Sequence, residues 1–199
     1  HAFFLDCRSL EYQHIPLPRE SAVVVMDTST RRGLVDSAYN ARRSQCEEAA
    51  RFLGVKSLRD VGSEKFKERS EKLDAVLMRR ARHIVTENER VLRAVDTMRA
   101  GDVSALGKLF NESHASLRDD FEVTNDALNW IVEIAQARPE CFGARMTGAG
   151  FGGCAVAVVR REQAGAFANA VGAEYRARSG KEAEIFVCEA GEGARVIKM

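Results

Sequence analysis

Four glycines fall within six residues, Gly148 to Gly153, directly before an apolar, β-branched stretch that ends at Val159. Glycine is favoured where the backbone needs a positive φ or where another group must approach the chain closely. Glycine loses more conformational entropy on folding than any other residue. So dense a cluster is expected only where the exposed backbone has a function. We therefore interpret this segment, the glycine loop (residues 147–153), as the centre of the functional site. A glycine-rich bulge before a core strand is an equally good interpretation when the loop is considered alone.

The glycine loop contains the spacing Gly148-x-Gly150-x-x-Gly153, which formally matches the dinucleotide-binding pattern. That pattern binds phosphate only where a strand precedes the loop and a helix follows it. Here a strand follows the loop, so a dinucleotide site is excluded. A Walker A loop is also excluded, because no Gly-Lys-Ser/Thr sequence follows the glycines.

Composition narrows the class of protein. The 199 residues are enough for one large domain or two small ones, with a core that needs no disulfides. The 30 basic and 29 acidic residues nearly cancel, so bulk charge favours neither nucleic acid nor an anionic membrane as a partner. No apolar run reaches the length of a membrane span. The five cysteines are odd in number and lack metal-ligand spacing, which indicates free thiols in a reducing, cytoplasmic compartment.

The chain opens on residues 1–6, HAFFLD, which resemble a strand already under way, without an initiator methionine or a signal peptide. We therefore expect a piece of a longer protein, in which a few N-terminal residues belong to a preceding domain. A stand-alone interaction domain is the plainest alternative, and it predicts a chain that begins with its own methionine.

Apolar periodicity predicts strands near both ends of the chain and helices between them. Strands are expected at residues 2–6, 22–27, 154–159, 184–188 and 195–198, the last two as an antiparallel pair around a turn at 191–193. Helices are expected from 36 or 37 to 53, over 73–99, from 102 onward, over 125–135 and over 162–178, and residues 113–124 interrupt the helical pattern. Two groups of strands around a helical middle indicate an α+β fold.

Several polar side chains can carry chemistry, although each has a commoner structural explanation. They are Asp27, Arg31, Arg32, Tyr39, Arg42, Arg43, His83, His114 and the pair Asp119–Asp120. Arginines on a helix usually form a solvated face, and a tyrosine is more often buried with a satisfied hydroxyl. Neither histidine has a metal partner at useful spacing, and adjacent carboxylates point apart on a helix. The residues alone therefore assign no reaction.

The segment Arg145-Met-Thr-Gly-Ala-Gly-Phe-Gly-Gly-Cys154 resembles the third motif of the GHMP small-molecule kinases, in its galactokinase form. Five other stretches resemble galactokinases in the family's order: LDCRSL (5–10), RGLVDSAYNARR (32–43), QCEEAA (45–50), RARHIV (80–85) and ESHASLRDDFEV (112–123). The resemblance covers essentially the whole chain. It implies one GHMP-kinase C-terminal domain over residues 1–199, with a mostly antiparallel, ferredoxin-like sheet and a helical layer.

The family resemblance implies transfer of the γ-phosphate of ATP, with Mg²⁺, to the anomeric hydroxyl of galactose. It also implies that the reacting groups lie in an N-terminal half: the sugar-recognition motif, the catalytic arginine, the phosphate loop, the magnesium ligands and the aspartate base have no counterpart here. Asp27 matches a later strand end in the family, so it is not assigned the role of base. We therefore expect no catalytic residue, no metal ligand and no bound ATP or Mg²⁺ in this chain alone.

Two sets of site residues follow from the resemblance. By position, Tyr39 matches the tyrosine whose hydroxyl contacts the sugar, which implies a substrate-binding role. The third-motif loop is implied to form one wall of the active site, and it comprises Thr147, Gly148, Ala149, Gly150, Phe151 and Gly152. The family's usual Gly-Gly-Gly is Gly148-Ala149-Gly150 here, a departure of one methyl group that leaves the assignment intact. The two histidines and the aspartate pair match family-typical positions and are expected only to pack or to line the cleft.

Two rival functions stay open. One is a related GHMP sugar kinase, such as an N-acetylgalactosamine kinase, and the other is a non-catalytic regulator that binds galactose and ATP. The expected partners are a small-molecule sugar, ATP and the N-terminal half of the same enzyme, with no nucleic acid or membrane. Without that half, an apolar face is expected to be exposed along the first strands and to favour self-association.

Overall fold

The computed structural model describes residues 1–30 and 35–189, and only the backbone of residues 35–37. The strands are β1 (Ala2–Leu5), β2 (Tyr12–Ile15), β3 (Ser21–Asp27), β4 (Cys141–Met146), β5 (Cys154–Arg160) and β6 (Glu184–Cys188). The helices are α1 (Val35–Phe52), α2 (Ser63–Ser70), α3 (Ala75–Ala100), α4 (Val103–Asp119), α5 (Asp126–Gln136) and α6 (Ala164–Ser179). Two short 3₁₀ helices lie at Leu58–Asp60 and Arg161–Gln163.

Four strands form an antiparallel sheet in the order β4-β5-β3-β6, and β1 and β2 form a separate antiparallel hairpin. The larger sheet has the βαββαβ connectivity of a ferredoxin-like fold, in which the helices α1 to α5 form the first crossover and α6 the second. The α+β prediction with a mostly antiparallel sheet is therefore confirmed. The glycine loop is the connection between the hairpin strands β4 and β5.

Helices cover both faces of this sheet. On one face, aliphatic residues of β3 and β5 pack against α5 and α6, where Phe167 and Tyr175 are fully buried. On the other face, α3 and α4 pack against Val158 and Phe142. Here α4 approaches β4 so closely that a Cβ atom on Gly107 would lie 2.0 Å from the carbonyl oxygen of Phe142. The small residue at position 107 thus sets the distance between helix and strand.

Local signals predicted most helix ends correctly. Gly101 ends α3 in the left-handed conformation, and the carboxylate of Asp102 accepts a hydrogen bond from the Ala105 amide at the start of α4. Asn125 caps α5 in the same way, through the amide of Leu128.

Two local predictions were wrong or incomplete, and a third is not tested. Residues 113–119 do not interrupt the helical pattern, because α4 runs on to Asp119 with Ser113, His114 and Ser116 buried inside the molecule. Strands β2 and β4 were not predicted, since glycine and polar residues interrupt their apolar pattern. The strand expected at residues 195–198, with its turn at 191–193, lies outside the described residues.

The hairpin β1–β2 carries the aromatic side chains that are most exposed near the start of the chain. Phe3 and Tyr12 stack on each other and are 58% and 59% exposed. The expected apolar face along the first strands is therefore present, while self-association stays a prediction. In the described ranges we find no helix with the length and apolar character needed to cross a membrane.

Candidate functional site

The glycine loop has an unusual backbone. Five of its residues have a positive φ: Gly148 (79°), Gly150 (82°), Phe151 (61°), Gly152 (131°) and Gly153 (83°). Ala149 does not share this conformation, which explains in physical terms why a methyl group is tolerated at the middle position of the usual Gly-Gly-Gly. Phe151 is the one member of the set that adopts the left-handed region with a full side chain.

Neighbouring backbone holds the loop from two sides. The Phe151 amide donates a hydrogen bond of 2.7 Å to the carbonyl of Val123, and a Cβ atom on Gly150 would lie 2.1 Å from that same oxygen. On the other side, the Gly153 amide donates to the carbonyl of Thr30 over 3.2 Å. The loop is thus wedged between the turn that links α4 to α5 and the segment that leaves β3.

Strand β4, which leads into the loop, lies at the edge of the sheet and is held by side chains instead of a further strand. Asn111 Oδ1 accepts from the Ala144 amide at 2.9 Å, and His114 Nδ1 accepts from the Met146 amide at 3.2 Å. Burial lowers the pKa of His114 to about 4, so its imidazole is neutral and its proton resides on Nε2. His114 therefore has the packing role that was expected of it.

A cavity of about 320 Å³ lies between α1, the turn after α4 and the glycine loop. Its described lining residues are Tyr39, Arg42, Arg43, Cys46, Leu117, Phe121, Val123, Gly148, Ala149 and Phe151. The structure thus brings Tyr39, which is 55% exposed, to the same cavity as three residues of the predicted loop. Thr147, Gly150 and Gly152 are not in this described lining. Thr147 closes the hairpin instead, because its amide donates to the Cys154 carbonyl over 2.9 Å.

Two residues of the loop that line this cavity have backbone amides without a described partner. Within the described residues, neither the Gly148 amide nor the Ala149 amide donates a hydrogen bond to protein. The Tyr39 hydroxyl likewise makes no hydrogen bond to a described residue. Three donors on two walls of one cavity are therefore available to an oxygen-rich ligand.

The arginines of α1 have mainly structural partners. Arg42 donates to the carbonyls of Phe121 and Glu122, over 2.5 and 2.9 Å, and burial lowers its pKa. Arg43 is exposed and pairs with Glu47 one helical turn later. Both arginines therefore have protein partners and do not require a phosphate group. Arg31 and Arg32 lie outside the described residues. Burial also raises the pKa of Cys46 to about 11, which keeps this cavity thiol neutral.

The remaining carboxylate candidates make local contacts in the described structure. Asp27 accepts a hydrogen bond from the Ser29 amide at the end of β3. Asp119 pairs with Arg118 on the surface, whereas Asp120 is buried and accepts from Ser116, so the two carboxylates point apart. In the described part of the chain, no group of three or more His, Cys, Asp or Glu side chains can hold a metal ion.

His83 is buried beside this same turn. Its Nδ1 lies 3.0 Å from the Ser116 hydroxyl, and its ring stacks on Phe121 with centroids 4.5 Å apart. Burial lowers the pKa of His83 to about 4.

Sequence reasoning missed the apolar part of the cavity, formed by Leu117, Phe121 and Val123. Aliphatic and aromatic side chains in a helix and a turn carry no chemical signal of a site. The stretch at residues 112–123 resembled a family motif, and that resemblance was the only available signal that it lies near the site.

Comparisons with known proteins agree with this fold. A family model described as GHMP kinases C terminal matches residues 94–177. The solved galactokinase of Lactococcus lactis, complexed with galactose, is 40% identical, with a TM-score of 0.90 over 96% of this chain and 51% of that chain.

More distant structures share the fold alone. L. major mevalonate kinase, in complex with R-mevalonate, is 18% identical, with a TM-score of 0.59 over 93% of this chain and 47% of that chain. Homoserine kinase from Cytophaga hutchinsonii is 13% identical, with a TM-score of 0.52 over 91% of this chain and 45% of that chain. The chain spans about half the length of each of these structures.

Proposed function

We propose that this chain, a GHMP kinase C-terminal domain that corresponds to the C-terminal half of a galactokinase, forms part of an ATP-dependent kinase for D-galactose. The product of that reaction is galactose 1-phosphate. One observation carries the proposal: Tyr39 and the glycine loop line one cavity, in a chain 40% identical to a galactokinase that was solved with galactose.

The cavity suits a sugar hydroxyl group next to a phosphate. Phosphoryl transfer depends mainly on positioning and on the stabilisation of charge spread over the phosphate oxygens. The Tyr39 hydroxyl is placed to donate to, or accept from, a sugar hydroxyl. The unpartnered amides of Gly148 and Ala149 can donate to a sugar or phosphate oxygen at short range, because the loop presents almost no side chain there.

The described residues fit ATP only in part and do not fit Mg²⁺. The loop amides can face phosphate oxygens, but no acidic cluster of the described residues can hold a divalent cation. We assign the magnesium ligands, the catalytic arginine, the aspartate base and the main ATP phosphate loop to an N-terminal half of the same enzyme. This chain then supplies one wall of the active site. The described cysteines form no disulfide bond with one another, which suits a cytoplasmic enzyme.

Turnover by the full-length protein tests the proposal. ADP release is expected with ATP, Mg²⁺ and D-galactose together, and with N-acetylgalactosamine the rate is expected to be much lower. Preferred use of N-acetylgalactosamine would favour the related kinase. Binding of galactose and ATP without ADP release would favour a non-catalytic regulator.

A matched pair of tyrosine variants tests the assignment of the site. Tyr39→Phe removes one hydroxyl at the cavity and is expected to lower kcat/KM for galactose about tenfold. Tyr12→Phe removes the same group from a tyrosine of similar exposure, 59% against 55%, on the hairpin β1–β2. Equal kinetic effects of both changes would contradict the role of Tyr39. The 199-residue chain alone is expected to release no ADP, and turnover by it would contradict the assignment of the chemistry to the other half.

A further inference from the structure

The turn between α4 and α5, residues 120–123, has a strained backbone. Glu122 adopts a φ of 53°, in the left-handed region that a residue with a Cβ atom enters at a cost. Such a conformation persists only where its surroundings over-determine it, and it is concentrated at functional sites. We call this segment the α4–α5 turn.

Side chains from two other helices hold the α4–α5 turn. Arg80 of α3 is only 2% exposed, and its guanidinium donates to the Asp120 carbonyl and to the Glu122 carboxylate. Its Nε also donates to Gln45 of α1 at 3.0 Å. Arg42 of α1 donates to two carbonyls of the same turn. One buried arginine therefore connects α1, α3 and the turn at once.

The α4–α5 turn also determines where the glycine loop lies. Val123, the residue after Glu122, accepts the Phe151 amide at 2.7 Å, and it leaves no room for a Cβ atom on Gly150. A displacement of Val123 therefore has to displace the loop, because the contact is between backbone atoms and cannot be relieved by a rotamer change.

The opposite wall of the cavity belongs to the same network. Tyr39 lies on α1, three residues before Arg42, and both side chains line the cavity. We propose that Arg80 and Glu122 are positioning residues, which set the spacing between Tyr39 and the glycine loop and thereby the fit of the sugar. This proposal rests on the proposed galactokinase function for its kinetic consequence only.

Stability alone is a poor explanation of this network. The side chain of Glu122 is 44% exposed, so its ion pairs with Arg79 and Arg80 are partly screened by water and contribute little. Burying the Arg80 guanidinium carries a desolvation cost that well-packed apolar residues would avoid. The planar, forked guanidinium of Arg80 instead holds the Asp120 carbonyl and the Glu122 carboxylate in a fixed geometry.

Glu122→Gln tests the proposal, with Glu112→Gln as the matched control. Glu112 also lies near two arginines, Arg90 and Arg93, at 3.7 and 3.6 Å, and its side chain is 49% exposed. It does not contact the α4–α5 turn in the described structure. The same chemical change is thus made at two similar acidic positions of the molecule, of which only one holds the turn.

The first readout is the backbone amide NMR spectrum of the full-length protein, which does not depend on activity. Glu122→Gln is expected to shift the amide resonances of Gly148, Ala149 and Phe151, and Glu112→Gln is expected to leave them in place. Equal spectra of the loop in the two variants would overturn the proposal.

The second readout is the kinetics of the full-length protein. Glu122→Gln is expected to raise KM for galactose roughly tenfold while KM for ATP changes little, because a misplaced wall weakens the fit of the sugar. Arg80→Lys keeps the charge without the fork, and it is expected to act in the same direction. Unchanged KM for galactose in an active enzyme with a displaced loop would overturn the proposal. Failure of the wild-type protein to use galactose would refute the proposed function instead, and the NMR comparison would then decide alone whether the network positions the loop.

Discussion

Two regions of the molecule are built on opposite principles. The interior between the sheet and the helices α5 and α6 is filled by aliphatic and aromatic side chains, among which Phe167 and Tyr175 are fully buried. The region around the α4–α5 turn contains the buried polar residues Arg80, His83 and Asp120, each with defined hydrogen-bond partners. The second region borders the cavity that Tyr39 and the glycine loop line, whereas no described residue of the first region lines that cavity.

The two regions therefore determine different properties: the first determines the stability of the fold, and the second determines the positions of particular atoms. Apolar packing is non-directional, so it stabilises a fold without determining the place of one particular atom. A hydrogen-bonded network specifies directions and distances, and a half-satisfied network costs more than an apolar one. We therefore expect the interior beneath the sheet to set the free energy of unfolding, and the polar region to set the geometry of the cavity.

The largest loss of stability is expected from Phe167→Ala. Phe167 is fully buried in the apolar interior, and removal of its ring should cost about 4 kcal/mol of unfolding free energy through lost burial and a cavity. Equilibrium urea unfolding measures this loss. Phe186→Ala removes the same ring from a 52% exposed position and is expected to cost much less. Similar costs for both variants would contradict the assignment of the main core.

A somewhat smaller loss is expected from Arg80→Leu. The buried Asp120 carbonyl would lose the Arg80 donor, and the half-buried Gln45 side chain would lose one of its two donors, at a cost of about 3 kcal/mol. Arg93→Leu is the control, because the Arg93 side chain is 63% exposed and Glu112, its described partner at 3.6 Å, is itself 49% exposed. Unfolding experiments on both variants that showed equal stability would mean that the polar region tolerates substitution as the surface does.

The pH dependence of stability should come mainly from the polar region. Burial lowers the pKa of His83 and of His114 from the ordinary value of 6.5 to about 4. The unfolded chain therefore binds protons first on acidification, and stability falls as the pH falls from about 6.5 to about 4. Between pH 8 and pH 5 each histidine should cost about 2 kcal/mol.

Urea unfolding at several pH values measures this slope in His83→Asn and His114→Asn. The asparagine amide can donate to the Ser116 hydroxyl at position 83 and can accept from the Met146 amide at position 114. Each variant should reduce the slope of the unfolding free energy against pH, between pH 5 and pH 6.5, by the equivalent of about one bound proton. His14→Asn changes an exposed histidine and serves as the control. An unaltered slope in both buried variants would show that neither imidazole is excluded from water in the way its burial indicates.

The smallest effect is expected from helix caps. Asn125→Ala removes the hydrogen bond to the Leu128 amide at the start of α5 and should cost about 1 kcal/mol. Asp102→Ala removes an equivalent cap from α4, far from the cavity. Thermal unfolding should show similar losses for both, since caps act locally. A much larger loss for Asn125→Ala would place the cap within the network that holds the turn.

Much of the fold could be predicted from local signals. Gly101 and Asp102 mark a helix end and the next helix start because their roles depend on neighbouring backbone alone. The continuation of α4 through Ser113 and His114 could not be predicted in this way. Those polar side chains are buried because Glu87 and Met146 supply their partners, and both partners are distant in the chain. Strand β4 was missed for the same reason, since side chains from α4 satisfy its edge.

The sequence by itself determined where the backbone is free to adopt positive φ, where the helices are capped, and which family the glycine loop resembles. These features depend on the residue types themselves or on neighbours a few positions away. Only the tertiary structure decided that Val123 fits against Gly150, that Arg80 reaches both α1 and the α4–α5 turn, and that Tyr39 shares a cavity with the loop. Those contacts join residues far apart in the chain, and their distances arise only when all the helices pack on the sheet together.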